Sequence, residues 1–194
     1  MEYDGKKKNP LTIKESGWTV EDYMKLPEDG NQYEIVGGKL ELKPSPTTTH
    51  QRISSNLEHI LKSSCDQHYI ILHAPVDVIL SDNETRQPDI LMVHRSREFL
   101  IEEHGVVGPP DLVIEILSPN SAKRDRVMKK ESYARFAVPE YWIVDPANLT
   151  IEQYVLVRPG EPYELAQVFG AEDTVQSERI PCVSFVVKEG LKIV

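Results

Sequence analysis

Two short apolar runs in this sequence each carry one carboxylate, and chemistry is to be sought there first. Glu115 stands in the middle of DLVIEIL (111–117), flanked by apolar residues in the manner of a strand buried on both faces. A carboxylate buried without a partner is costly, so it must be protonated, paired or bound to a metal. The plainer alternative is an edge strand on which Glu115 faces solvent or meets an internal Arg. Asp89 follows Pro88 at the head of DILMV (89–93), a second strand of the same character. Alone it reads as a strand-entry residue. Were the two strands adjacent, two carboxylates would meet, and a hard dication with oxygen ligands is the usual relief of their repulsion.

A third group follows in the chain. Asp125, Lys129 and Tyr133 stand at i, i+4 and i+8 and so share one face of a helix. If the loop after Glu115 is tight, that face returns over the end of its strand, where a fixed lysine assists phosphoryl chemistry by neutralising developing charge. An ordinary solvated face with an Asp125/Lys129 pair is the competing explanation. Between Pro119 and Arg135 six basic residues (Lys123, Arg124, Arg126, Lys129, Lys130, Arg135) face two acidic ones (Asp125, Glu131), net +4 in a chain of net −9. A basic element beside an acidic pocket suits a protein that holds a phosphate backbone near a cation, with Lys123, Arg124, Arg126 and Lys130 as the contacts.

Glu34, in the strand-like YEIV, and His50, near a helix start, carry weaker signals; an outward strand residue and a capping or core histidine are their ordinary readings. The histidines form no HxH or HExxH arrangement, which argues against a histidine-based zinc enzyme. GxGxxG, P-loop and GxSxG motifs are also missing, so nucleotide-cofactor and serine-hydrolase chemistry have no support. Cys65 and Cys182 lie far apart without metal-ligand spacing and are expected to be reduced structural thiols.

The elements that must position these residues follow in order. Residues 1–17 read as a flexible, polar, Lys-rich N-terminal tail, and 18–194 as a single domain. Thr19 with Asp22 opens a short helix that Pro27 closes. YEIVGGKLEL predicts a β-hairpin over residues 32–43, turned at Gly37-Gly38. Thr48 or Thr49 caps a helix whose Ile53, Leu57, Ile60 and Leu61 form one apolar face. Strands follow in YIILHAPVDVIL (69–80), DILMV and DLVIEIL, the last two joined by a polar connection. A helix of about 17 residues then runs to Pro139, ahead of the strand EYWIVD (140–145) and a β-meander. This order predicts an α/β fold, a mixed sheet flanked by helices. With 40% hydrophobic residues the chain can bury a core. It carries neither a membrane-spanning apolar run nor a signal-like leader, which predicts a cytoplasmic protein with no membrane partner. The net charge of −9 argues against coating nucleic acid non-specifically, so any such contact is local.

Taken together, YEIVGGKLEL, SPTTTHQRI, QPDILMV, PPDLVIEILSP and RDRVMKKESYARFAVPEYWIVDP, in this order over roughly residues 20 to 190, resemble the bacterial Uma2 family (DUF820). That family is placed in the PD-(D/E)XK restriction-endonuclease-like superfamily, whose members hold Mg²⁺ with carboxylates and cleave phosphodiester bonds. The resemblance implies a restriction-endonuclease-like fold, with Asp89 as the acid of the PD motif and Glu115 as the acid of the next strand. It implies Mg²⁺ (or Mn²⁺) held by Asp89, Glu115 and the main chain of Ile116. The superfamily lysine falls on Leu117 here, and Lys129 in the pattern shared with Asp125 and Tyr133 takes its place. Glu34 and His50 fall on positions the family fills similarly, in supporting roles. Ala137 stands where the family usually has Gly, a helix-end detail.

The function expected first is a Mg²⁺-dependent endonuclease acting on nucleic acid, DNA before RNA, with a homodimer suggested by analogy alone. The alternatives are a non-catalytic module binding nucleic acid or protein on the same fold, and a phosphohydrolase of small esters.

Overall fold

A computed structural model describes residues 14–118 and 122–192. Most of the tail expected over 1–17, and the start of the helix after Glu115, lie outside the described residues.

Helix α1 (Val20–Tyr23) opens on a reciprocal cap: the Thr19 hydroxyl accepts from the Asp22 amide, and the Asp22 carboxylate accepts from the Thr19 amide. Strands β1 (Gln32–Val36) and β2 (Lys39–Lys43) form the expected hairpin, with Gly37 and Gly38 at φ +55° and +76°. Helix α2 (Thr48–Cys65) is capped by Thr47, one residue before the expected caps, and it buries Ile53, Leu57, Leu61 and Cys65. The bent run after it gives β3 (Tyr69–His73) and β4 (Val78–Ser81).

A strand the sequence did not announce, β5 (Glu84–Arg86), precedes β6 (Ile90–His94). The connection expected to be merely polar contains a 3₁₀ turn (Arg95–Leu100) and a hairpin of β7 (Ile101–Glu102) and β8 (Gly105–Val107). Strand β9 (Leu112–Ile116) carries Glu115. Residues 122–135 are helical, but not regularly: a π-helical stretch (Arg124–Lys129) leads into α3 (Lys130–Arg135). The chain continues through β10 (Glu140–Asp145), β11 (Thr150–Val155), β12 (Glu164–Phe169), β13 (Thr174–Gln176), β14 (Ser184–Val186) and α4 (Val187–Gly190).

One six-stranded sheet runs β12-β11-β10-β9-β6-β3; a second runs β2-β1-β5-β4-β8-β7, and β13 pairs with β14. The first sheet is mixed, because β9 and β10 are parallel and β6 is antiparallel to β9. On one of its faces Ile53, Leu57 and Leu61 of α2 pack with Ile114, Met92 and Trp142. On the other, Val113 and Ile143 pack with Tyr133, Ala134 and Tyr141. Alternation along β9 therefore turns Ile114 and Ile116 toward α2 and Glu115 toward the helix of residues 122–135. No helix among the described residues is long and apolar enough to cross a membrane.

The cysteines depart from expectation. Cys65 and Cys182 form a disulfide across a sequence separation of 117, with Cα atoms 5.2 Å apart, rather than standing as reduced thiols. Cys65 continues the buried stripe of α2 one turn past Leu61, and the C-terminal segment folds back over that helix, where Asn56 donates to the carbonyls of Glu189 and Gly190.

Candidate active site

The register that pairs Ile90 with Ile114 sets Asp89 across from Glu115 where β6 and β9 run antiparallel. Both carboxylates are buried, at 5% and 2% exposure. Asp89 is held by its Oδ2, which accepts from the Ile116 amide at 2.8 Å and contacts His50 Nε2 at 2.9 Å. Its Oδ1 lies 3.6 Å from Lys43 Nζ. Glu115 accepts from the Tyr133 hydroxyl at 2.9 Å through one oxygen and meets Lys129 Nζ at 2.7 Å through the other.

The π-helical stretch brings Asp125 and Lys129 together inside the protein, Lys129 being 1% exposed and 3.6 Å from Asp125. A wider helical turn of this kind recurs at functional sites. Lys129 Nζ also lies 3.7 Å from Glu34. The latter accepts from the Gln87 amide, its second oxygen lying 3.6 Å from Arg86 Nη1. Arg86 in turn forms a forked pair with Glu84, which also accepts from the Ser132 hydroxyl. A chain of charges thus ties β1 and β5 to the helix that carries Lys129.

Five carboxylates (Glu34, Glu84, Asp89, Glu115, Asp125) meet three permanent cations (Lys43, Arg86, Lys129) in this network, a formal shortfall of two positive charges. Burial pushes Glu115 up to about 7, helped by Asp89 and Asp125 and opposed by Lys129. Burial pushes Asp89 the same way, but His50 and Lys43 outweigh it and hold Asp89 at about 2. For Lys129, burial favours the neutral amine, yet Glu115, Glu34 and Asp125 raise it above its ordinary value. His50 is lowered by burial and raised more by Asp89, so it titrates above an ordinary histidine.

Lys43, His50, Asp89, Glu115, Asp125 and Lys129 line a cleft of about 580 Å³, together with the β2–α2 loop, the first turns of α2, the turn after β3 and Arg124. Among the described residues, Glu34 Oε2, Asp125 Oδ1 and His50 Nδ1 are buried without a hydrogen-bond partner. Among the described residues no three His, Cys, Asp or Glu side chains converge on a ready-made metal cage. The donors suit a hard dication of another habit, one that takes one or two carboxylates and fills its shell with water, main-chain and substrate oxygens, as Mg²⁺ does. Asp89 and Glu115 are the carboxylates on the cleft with β-strand support, and the unpartnered oxygens nearby can hold its waters.

Asp89, Glu115, Lys129, Glu34, His50, Asp125 and Tyr133 therefore converge, and Glu34 is buried rather than outward. Of the four basic residues expected to touch nucleic acid, only Arg124 lines the cleft. Lys123 is exposed, Arg126 pairs with Asp145 and Glu152, and Lys130 sits 4.6 Å over the Tyr154 ring. Sequence reasoning missed Lys43, Arg86, Glu84 and Ser132. The charged residues just ahead of Pro88 were the available hint for Arg86 and Glu84; nothing marked Lys43 apart from other strand-end lysines.

The family model Uma2, described as "Putative restriction endonuclease", matches residues 20–187. Comparison with curated proteins finds no match. Among solved structures, that of a "putative nuclease belonging to DUF820" from Anabaena variabilis superposes with a TM-score of 0.72 at 23% sequence identity, covering 89% of this chain and 97% of the other. The architecture is thus restriction-endonuclease-like, as the resemblance implied, built on the mixed sheet flanked by helices that the element order predicted.

Proposed function

Because the chain belongs to the Uma2 family, over residues 20–187, we propose that it is a Mg²⁺-dependent (or Mn²⁺-dependent) endonuclease that hydrolyses phosphodiester bonds of nucleic acid. The observation that carries this reading is the pairing of Asp89 with Glu115 across β6 and β9, with Lys129 on Glu115, at the floor of a cleft. Asp89, Glu115 and the main-chain carbonyl of Ile116 would hold the cation. Once bound, such a dication supplies Lewis acidity toward a phosphoryl oxygen and lowers the pKa of a water.

The protein's own residues have separable tasks. Asp89 is fixed in its ionised form by His50, Lys43 and the Ile116 amide, so it offers a carboxylate of set orientation. Tyr133 orients Glu115 through one oxygen and leaves the other to Lys129. Lys129 is kept protonated by the carboxylates around it and places a fixed positive charge where a pentavalent phosphate gathers negative charge. Glu34, Arg86 and Glu84 hold the lysine from behind. Arg124 reaches the cleft and can meet a neighbouring phosphate.

The test is cleavage of plasmid and of single-stranded DNA and RNA with Mg²⁺ or Mn²⁺, comparing the wild type with Asp89→Ala and Glu115→Ala. Cleavage lost in both variants, with melting transitions retained, supports the reading; cleavage that persists in both rejects it. A rise in melting temperature on adding Mg²⁺ or Mn²⁺ to the wild type, absent in the variants, reports the ion site without reference to activity. A folded protein that neither binds the ion nor cleaves is a non-catalytic module on this fold.

A further inference from the structure

Resting on the nuclease reading of the same cleft, we propose that its substrate is a single-stranded segment of nucleic acid and that intact duplex is excluded. The first argument is depth. The carboxylates on the floor are almost wholly covered, Asp89 at 5% and Glu115 at 2% exposure, and Lys129 beside them is 1% exposed. The space leading to them is about 580 Å³. Pockets of about 300–1,000 Å³ hold one drug-sized molecule, the scale of one or two nucleotides. A duplex carries its phosphates on the outside of a stiff, wide rod and cannot lower one of them to such a floor. A single strand, free to rotate about each backbone bond, can.

The second argument is charge. A surface that follows duplex DNA neutralises several phosphates with Lys and Arg. Here half of the expected basic stripe is engaged elsewhere, Arg126 being tied to Asp145 and Glu152 and Lys130 lying over Tyr154, while Lys123 is exposed outside the cleft lining. Lys43 is turned inward to the Gln87 carbonyl and Asp89. Arg124 lines the cleft, where its side chain can meet a phosphate. One or two phosphate contacts beside the scissile one suffice for a short single strand inside a cleft. They are too few for a rod held on an open surface, the more so on a chain of net charge −9.

The walls add a third point. Pro44, Pro46 and Pro75 together with Thr47 and Ser54 present small, weakly polar surfaces to the cleft. These small surfaces suit the sugars and base edges of a flexible strand, beside the polar side chains of Gln32, Gln51 and His73 that also line the cleft.

The experiment is fluorescence anisotropy with a labelled oligonucleotide of about 12 nucleotides, free or annealed to its complement, on the wild-type chain with Ca²⁺ as the hard dication, repeated across a salt titration. The expected result is binding of the single strand at least about tenfold tighter than of the duplex, with a log–log salt slope of about −0.7 to −1.4, the value for one or two contacts on a single strand. Arg124→Gln, with an unchanged melting temperature, should weaken the single strand and make the slope shallower by about 0.7. Duplex bound as tightly as single strand, a slope of about −5 or steeper, or no binding of the single strand overturns the inference. A single strand that is bound but never cut with Mg²⁺ or Mn²⁺ rejects the nuclease reading instead and leaves the preference for single strands standing.

Discussion

Lys129 Nζ lies 2.7 Å from Glu115 Oε2, and the two side chains are 1% and 2% exposed. One comes from a π-helical stretch and the other from the central parallel strand pair, so this contact helps to hold the helix after β9 against the sheet, with the Tyr133–Glu115 hydrogen bond and the packing of Tyr133 on Val113. Glu115 is also the residue proposed to hold a cation, and its lysine partner stands where positive charge is needed with or without that ion.

Removing one side of this pair should cost far more than removing both. Lys129→Met strands Glu115, Glu34 and Asp125 without their shared cation, and breaking a buried pair in this way costs about 3–5 kcal/mol. For a domain of this size that corresponds to a fall in melting temperature of roughly 10 °C. Adding Glu115→Gln in the same chain should recover a substantial part of the loss. Thermal melts of the wild type, both single variants and the double variant close the cycle, and losses that simply add would show that the two residues do not depend on each other.

Glu115 also predicts a pH dependence. Its pKa is about 7 in the folded protein against an ordinary 4.5. Between these values the folded chain keeps a proton that the unfolded chain has released, so stability falls as pH rises from 4.5 toward 7 and levels above it. Glu115→Gln has no such proton. With metal removed by EDTA, the melting temperature of the wild type minus that of Glu115→Gln should decline across this interval. A difference that is flat or rises with pH would mean that burial does not hold Glu115 near neutrality.

What could be read from the sequence was the part in which local pattern and burial coincide. Glu115 interrupts a run that is apolar on both faces, and Asp89 heads another, so their candidacy needed only the strand assignments. Their meeting needed β6 beside β9, which no local pattern states. Glu34 carried only a weak signal because YEIV alternates like a half-exposed strand; its burial comes from β5, where Thr85 pairs with Ile35 and Arg86 reaches across. Strand β5 itself is three polar or charged residues, too short for periodicity. The helix over 122–135 was legible as a helix, but its π stretch was not, since the wider turn answers to the partners of Asp125 and Lys129 in the interior and leaves no mark in composition. Lys123, Arg124, Arg126 and Lys130 show the limit of charge counting: four cations close in sequence point to different surroundings once the helix is formed.

Ala137 is a strained position that a single change should relieve. It has φ +60° just after α3, where the Val138 amide bonds the Tyr133 carbonyl and the Ala137 amide bonds that of Ala134. This is the Schellman termination, whose left-handed residue is usually glycine. A side chain there costs about 1–2 kcal/mol, offset in part by the greater freedom glycine has when unfolded. Ala137→Gly should therefore stabilise the protein by about 0.5–1 kcal/mol, a rise of a few degrees in melting temperature, with ion binding unchanged. A loss of stability would mean that the helix end is held by the packing of Val138 on Tyr133 and Tyr163 more than by backbone preference.

The Cys65–Cys182 bridge closes a loop of 117 residues and ties the end of α2 to the segment between β13 and β14. Constraining so long a loop in the unfolded chain is worth up to about 4–5 kcal/mol. Reduction should thus lower the melting temperature by about 10 °C, and Cys65→Ala with Cys182→Ala should melt near the reduced wild type. The cleft lies at the opposite end of α2, at Thr47–Glu58, and takes no residue from the bridged segment. Reduced protein that is still folded should accordingly keep its ion-induced rise in melting temperature. Loss of that rise on reduction would mean that the bridge sets the position of α2, and with it His50 against Asp89.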